Sequence, residues 1–118
     1  MTTAGCEIAW AAGLFEGEGT ITQSGGRLYV RLKMTDESIV LRFAENARFG
    51  EIYGPYSHQR TDGYVRKPYW VWLAAEYEAL EVLEMLWPWL GQRRRGQALK
   101  LAPVEAILLE PTTAATVD

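Results

Sequence analysis

The sequence predicts an α+β fold with the order α-β-β-α-β-β-α, in which a four-stranded antiparallel sheet is covered by helices on one face. Three observations lead there. Two runs of alternating polarity flank a Gly25-Gly26 pair, apolar residues recur at helical spacing on both sides of that hairpin, and two further β-rich runs follow at residues 51–56 and 69–73. With 118 residues, 48% of them hydrophobic, the chain suits one domain over residues 1–110, and the Thr/Ala-rich tail at 111–118 is expected to be disordered. No apolar run is long enough to span a bilayer and no secretory signal is evident, so an intracellular, cytoplasmic protein without membrane contact is expected. The single cysteine, Cys6, excludes an internal disulfide and a multi-cysteine zinc site.

The elements follow in order. Residues 7–18, E-I-A-W-A-A-G-L-F-E-G-E, read as a first helix closed by Gly19 in the left-handed position. Thr20 to Ser24 and Arg27 to Met34 form a hairpin around Gly25-Gly26. Asp36 precedes the periodic set Ile39, Val40, Phe43, Ala44 and Ala47, a capped second helix ending before Gly50. The second strand pair is joined by a polar connection containing His58, Thr61, Asp62, Gly63 and Pro68. Leu80, Leu83, Trp87 and Leu90 mark a third helix from Glu76, interrupted at Pro88, and a short helical piece is expected around Leu99 to Leu109. No internal repeat is seen.

The net charge of −3 counts against nucleic-acid binding, which draws its affinity largely from cations that displace phosphate counterions. The distribution softens the objection, because residues 19–72 carry eight cations and five anions. Along residues 27–34, Arg27, Tyr29, Arg31 and Lys33 occupy one face and Leu28, Val30, Leu32 and Met34 the other. The apolar face must meet the helices, which turns a row of cations and donors outward on a ribbon that suits the major groove. Thr22 and Ser24 extend this row. In the second hairpin Val71 and Leu73 are taken as inward, leaving Trp70 and Trp72 outward near Tyr53, either to contact thymine methyls and sugars or to pack on a loop. Arg60, Arg66 and Lys67 suit phosphate contacts, and His58 a phosphate or surface role.

In the first helix Ala9, Gly13 and Gly17 recur at every fourth residue and leave a groove in which two helix backbones can approach closely. Glu16 and Glu18 sit in its last turn, where the negative end of the helix dipole disfavours a carboxylate by about 0.3–1 kcal/mol. A bound cation would explain them, and two solvated glutamates are the plainer alternative.

The stretch A-A-G-L-F-E-G-E-G at residues 11–19 resembles the motif of the LAGLIDADG homing endonucleases, keeping both glycines, the apolar Leu14-Phe15 pair and both acidic positions, with Glu in place of the commoner Asp. The order of elements agrees over roughly residues 7–105. The resemblance implies a homing endonuclease-like fold and a site-specific enzyme that hydrolyses double-stranded DNA with Mg²⁺ or another divalent ion such as Mn²⁺. It makes Glu18 the metal-binding catalytic acid and Glu16 a brace at the helix end. One motif implies a homodimer, with Ala9, Ala12, Gly13, Glu16 and Gly17 in the interface and a long, partly palindromic target. By position, Asp36 corresponds to a residue that orders solvent or helps a metal site, with helix capping as the alternative. Arg93 matches a basic residue that polarises the scissile region, with a plain solvated charge as the alternative. A non-cleaving DNA- or RNA-binding relative such as a splicing maturase or a regulator, and a dimeric structural protein, are the rival readings.

Overall fold

Strand alternation and helical periodicity resolve into one sheet with helices packed on one face. The computed structural model describes residues 3–57 and 67–101. In chain order these form α1 (Thr3–Glu18), β1 (Gly19–Ser24), β2 (Arg27–Met34), α2 (Glu37–Ala47), β3 (Glu51–Tyr56), β4 (Tyr69–Ala75), α3 (Glu76–Leu86), a 3₁₀ turn (Trp87–Trp89) and α4 (Gln92–Leu101). The sheet order is β1-β2-β4-β3, with every neighbour antiparallel. The expected α+β order is the observed one. The tail at 111–118 lies outside the described residues, and so does the helical piece placed around Leu99 to Leu109 beyond Leu101. The described helix there starts earlier, at Gln92, and takes in the arginine cluster.

The β1–β2 turn uses Gly25 and Gly26 at φ 58° and 79°, the left-handed pair that matches the twist of a two-residue hairpin. Gly19 serves a different end from the one expected. It is the first residue of β1, and a side chain there would collide with the Phe15 ring, so it is glycine for close approach rather than for helix termination.

The core lies between the sheet and the helices. Phe15 from α1, Phe43 from α2 and Trp72 from β4 are fully buried in sequence, with Phe15 and Phe43 stacked at 6.3 Å between centroids and Phe43 edge-on to Trp72 at 4.8 Å. Leu28, Val30 and Leu32 supply the inward face of β2, as its alternation requires. The expected facing of β4 is reversed. Trp72 stands opposite Leu32 and Trp70 opposite Met34, and directly paired residues share a face, so both indoles turn inward. Trp72 also donates its indole N–H to the Phe49 carbonyl at 2.9 Å, which satisfies its one polar atom at depth. Trp70 is half-buried against the core.

Ala11 and Ala12 are fully buried beneath α1. Ala12 therefore belongs to the core of the subunit and is closed to a second chain, which corrects its expected place in the interface.

Candidate nucleic-acid interface and carboxylate site

The sheet face that carries no helix forms an open groove. Thr22 and Ser24 of β1, Tyr29, Arg31 and Lys33 of β2, Tyr53 and Tyr56 of β3, and Tyr69, Val71 and Leu73 of β4 line it. The expected outward row of β1 and β2 is thus present, with Tyr53 beside it. Val71 and Leu73 replace Trp70 and Trp72 on this face, and Tyr56 and Tyr69 are additions that the sequence reading missed. The signal for Tyr69 is the alternation of β4 once its register with β2 is known, and for Tyr56 its pairing with Tyr69 across an irregular stretch of β3.

The cations of the row are not equivalent. Arg31 is exposed and forms no hydrogen bond or ion pair with a described residue, so its guanidinium remains open to a ligand. Lys33 lies 4.2 Å over the Tyr69 ring, which holds its ammonium within the groove. Arg27, at the strand end, pairs with Glu76 at 3.0 Å instead of lining the groove, and this partner holds its pKa above the ordinary value. On the β3 side the Tyr53 hydroxyl donates to Glu51 at 3.2 Å, and the carboxylate raises the phenol's pKa. Lys67 is exposed just ahead of β4, whereas His58, Arg60 and Arg66 lie outside the described residues.

At one end of the groove, α1 finishes with two carboxylates in contrasting settings. Gly91 donates its backbone N–H to Glu16 Oε1 at 2.5 Å, tying the end of α1 to the start of α4. The α1 carbonyl at Glu16 accepts from Arg94 Nε at 3.1 Å and from Arg93 Nη2 at 3.4 Å, the donors that a helix C-terminus lacks. Arg94 is buried at 7% exposure beneath the chain, within 5.8 Å of the Phe15 ring, and burial lowers its pKa. Arg93 stays largely exposed and makes a long, 3.9 Å ion pair with Glu16. The sequence reading favoured Arg93 within this cluster, and it is Arg94 that turns inward to bind the end of α1.

Glu18 is exposed and forms no hydrogen bond or ion pair with any described residue. It lines a shallow depression with Lys33, Met34 and Thr35, so it sits where α1 meets the groove. Asp36 follows Thr35 in the chain, but its carboxylate is engaged as the cap of α2. It accepts from Ser38 N at 2.9 Å, Ser38 Oγ at 2.6 Å and Ile39 N at 3.3 Å, bonds that hold its pKa below the usual carboxylate range.

Among the described residues no three acidic, histidine or cysteine side chains converge on one point. A divalent ion here would take Glu18, a hard oxygen donor of the kind that Mg²⁺ prefers, and would need further oxygens from outside this subunit. Beside Glu18, Gly13 and Gly17 are exposed, with no atom within 4 Å of a Cβ position on either, and Ala9 is half-exposed. The small-residue face of α1 is therefore uncovered by the described residues. Among the described residues no helix is long and apolar enough to cross a membrane.

No protein-family model matches the sequence, and no curated protein matches it closely enough to count as a relative. Solved structures do match. The chain superimposes on the homing endonuclease I-CvuI, crystallised with its Sro1.3 target in 2 mM calcium, at a TM-score of 0.60 and 19% identity over 94% of this chain and 71% of that one. A second I-CvuI complex, with the I-CreI target C1221 in 2 mM magnesium and the DNA not cleaved, gives 0.56 and 19% over 93% and 71%. The chain has the homing endonuclease fold, the fold that the motif resemblance implied.

Proposed function

We propose that this chain is a divalent-metal-dependent DNA endonuclease of the LAGLIDADG type, acting as a homodimer on a long, partly palindromic duplex. The observation that carries the reading is Glu18, an exposed, unpartnered carboxylate at a helix C-terminus, set between a cationic groove and an uncovered glycine-lined helix face. Folding alone gives no reason for a carboxylate there, since the helix dipole opposes it. Both I-CvuI complexes contain target DNA and were prepared with calcium or magnesium, which supports the class of ligand.

In this reading α1 packs against α1 of a second copy through Ala9, Gly13 and Gly17, which brings two Glu18 carboxylates together at the two-fold axis. Each Glu18 would hold Mg²⁺ or Mn²⁺, together with oxygens from the end of α1, the partner copy and the DNA. When bound, the ion supplies a water of lowered pKa and neutralises charge on the phosphate oxygens. Glu16 and Arg94 keep the helix end in place, so that Glu18 meets the phosphate in a fixed position. Arg31 and Lys33 grip the duplex from the groove, and Arg93, exposed beside Glu16, is placed for the scissile region. The two copies present equivalent reading surfaces, which accounts for a partly palindromic site.

The test is incubation with a random duplex library in Mg²⁺ and in chelator. Cleaved sites should appear only with metal, and Glu18→Gln should reduce cleavage more than about a hundredfold while still shifting duplex DNA. Duplex binding without cleavage by the unaltered protein would leave the non-cleaving binder as the correct reading. Absence of any duplex binding would overturn both.

A further inference from the structure

We propose that each half-site of the target carries two thymines about two base steps apart, read by Val71 and Leu73 through the thymine 5-methyl groups. This rests on the DNA-binding reading above. β2 and β4 are the two inner strands, so their outward residues form the floor of the groove and those of β1 and β3 its rims. Val71 lies between Lys33 on β2 and Tyr53 on β3, and Leu73 lies between Arg31 on β2 and Glu51 on β3. The floor thus presents two short branched aliphatic groups on β4 beside the long cationic side chains of Arg31 and Lys33 on β2, which can extend from it to phosphates. An aliphatic side chain can neither donate to nor accept from a base edge. In the major groove the one apolar group is the thymine methyl, whereas guanine, cytosine and adenine offer polar atoms that would lose water against Val71 or Leu73 without gaining a partner. Contact with the methyl is favoured and the other bases are penalised at the same positions.

Strand geometry sets the spacing. Alternate residues of a strand are roughly 6.6–6.8 Å apart, close to two steps of a duplex that rises about 3.4 Å per base pair. The order follows from the sheet register. Lys33 lines the depression that contains Glu18, so Val71, directly across from Lys33, reads nearer the centre of the site and Leu73 reads farther out.

The experiment selects bound sites from a random duplex library in Ca²⁺, then remakes the best site with deoxyuridine in place of each enriched thymine in turn. Two thymines per half-site, about two steps apart, are expected, and removing either methyl should weaken binding about fourfold. Val71→Ser should abolish the methyl sensitivity of the inner position and Leu73→Ser that of the outer one. The deoxyuridine comparison on the unaltered protein stands even if a variant folds poorly. Selected sites lacking thymine at this spacing, or bound equally well with deoxyuridine, overturn this inference while leaving the DNA-binding reading intact. If no duplex is enriched, both fall.

Discussion

The two faces of the sheet are built by opposite rules, and the proposed function rests on that contrast. On the covered face, among the described residues, no buried side-chain nitrogen or oxygen lacks a hydrogen-bond partner, as with the Trp72 indole on the Phe49 carbonyl and Arg94 on the last turn of α1. On the open face Arg31 has no partner among the described residues, and Glu18 at the edge of that face has none either. Unanswered charge costs little in water, so the open face is free to be selected for a ligand. The covered face is not, because each buried group there contributes to stability.

Substitutions on the two faces should therefore separate cleanly. The largest stability effect is expected from Trp72→Ala, which removes the largest fully buried side chain from one end of the aromatic cluster and should cost about 3–5 kcal/mol, read as a shift in the denaturant midpoint. A small loss would mean that Trp72 is not the core residue described. Arg94→Ala removes the donor from the end of α1 and should cost about 2 kcal/mol in the same assay. Arg31→Ala reverses the pattern, with less than about 0.5 kcal/mol in stability but a loss of roughly tenfold or more in duplex affinity and a shallower dependence on salt. A stability loss as large as that of Trp72→Ala would erase the distinction between the faces.

The mildest expectation concerns the α1–α2 contact, where Arg42 grips Glu7 at 2.6 and 2.9 Å and Asn46 adds a bond at 3.0 Å. Chiefly because of the Arg42 hydrogen bond, the Glu7 pKa falls from 4.5 to about 2. A carboxylate with a depressed folded pKa stabilises fully above its unfolded value and loses that contribution as pH falls towards the folded one. The Glu7→Gln protein should melt slightly below the unaltered protein at neutral pH, and the gap should close between pH 4.5 and about 2. A gap that stays constant through that range would remove the ion pair from the account.

How far the sequence reached differs strand by strand. β2 was legible because Arg27, Tyr29, Arg31 and Lys33 alternate with Leu28, Val30, Leu32 and Met34, so one face is polar whatever its neighbours do. β4 was not, because Tyr69, Val71 and Leu73 are nearly as apolar as Trp70, Trp72 and Ala74. Its facing is decided by pairing with β2 and by the depth that an indole needs, both non-local. On α1 the spacing of Ala9, Gly13 and Gly17 marks the uncovered face, yet nothing in local composition separates Ala12, one position away, which is buried. Within the arginine cluster three identical residues differ only in their phase on α4, and that phase depends on where α1 ends.

The contrast within the last turn of α1 is the sharpest one, since Glu16 is tied to Gly91 and Glu18 is left open two residues later. The most direct test is cleavage of a selected duplex in Mg²⁺ by the Glu18→Gln protein. Cleavage reduced more than about a hundredfold, with thermal unfolding and duplex binding unchanged, is the predicted result. Full cleavage by Glu18→Gln would contradict the account at its centre.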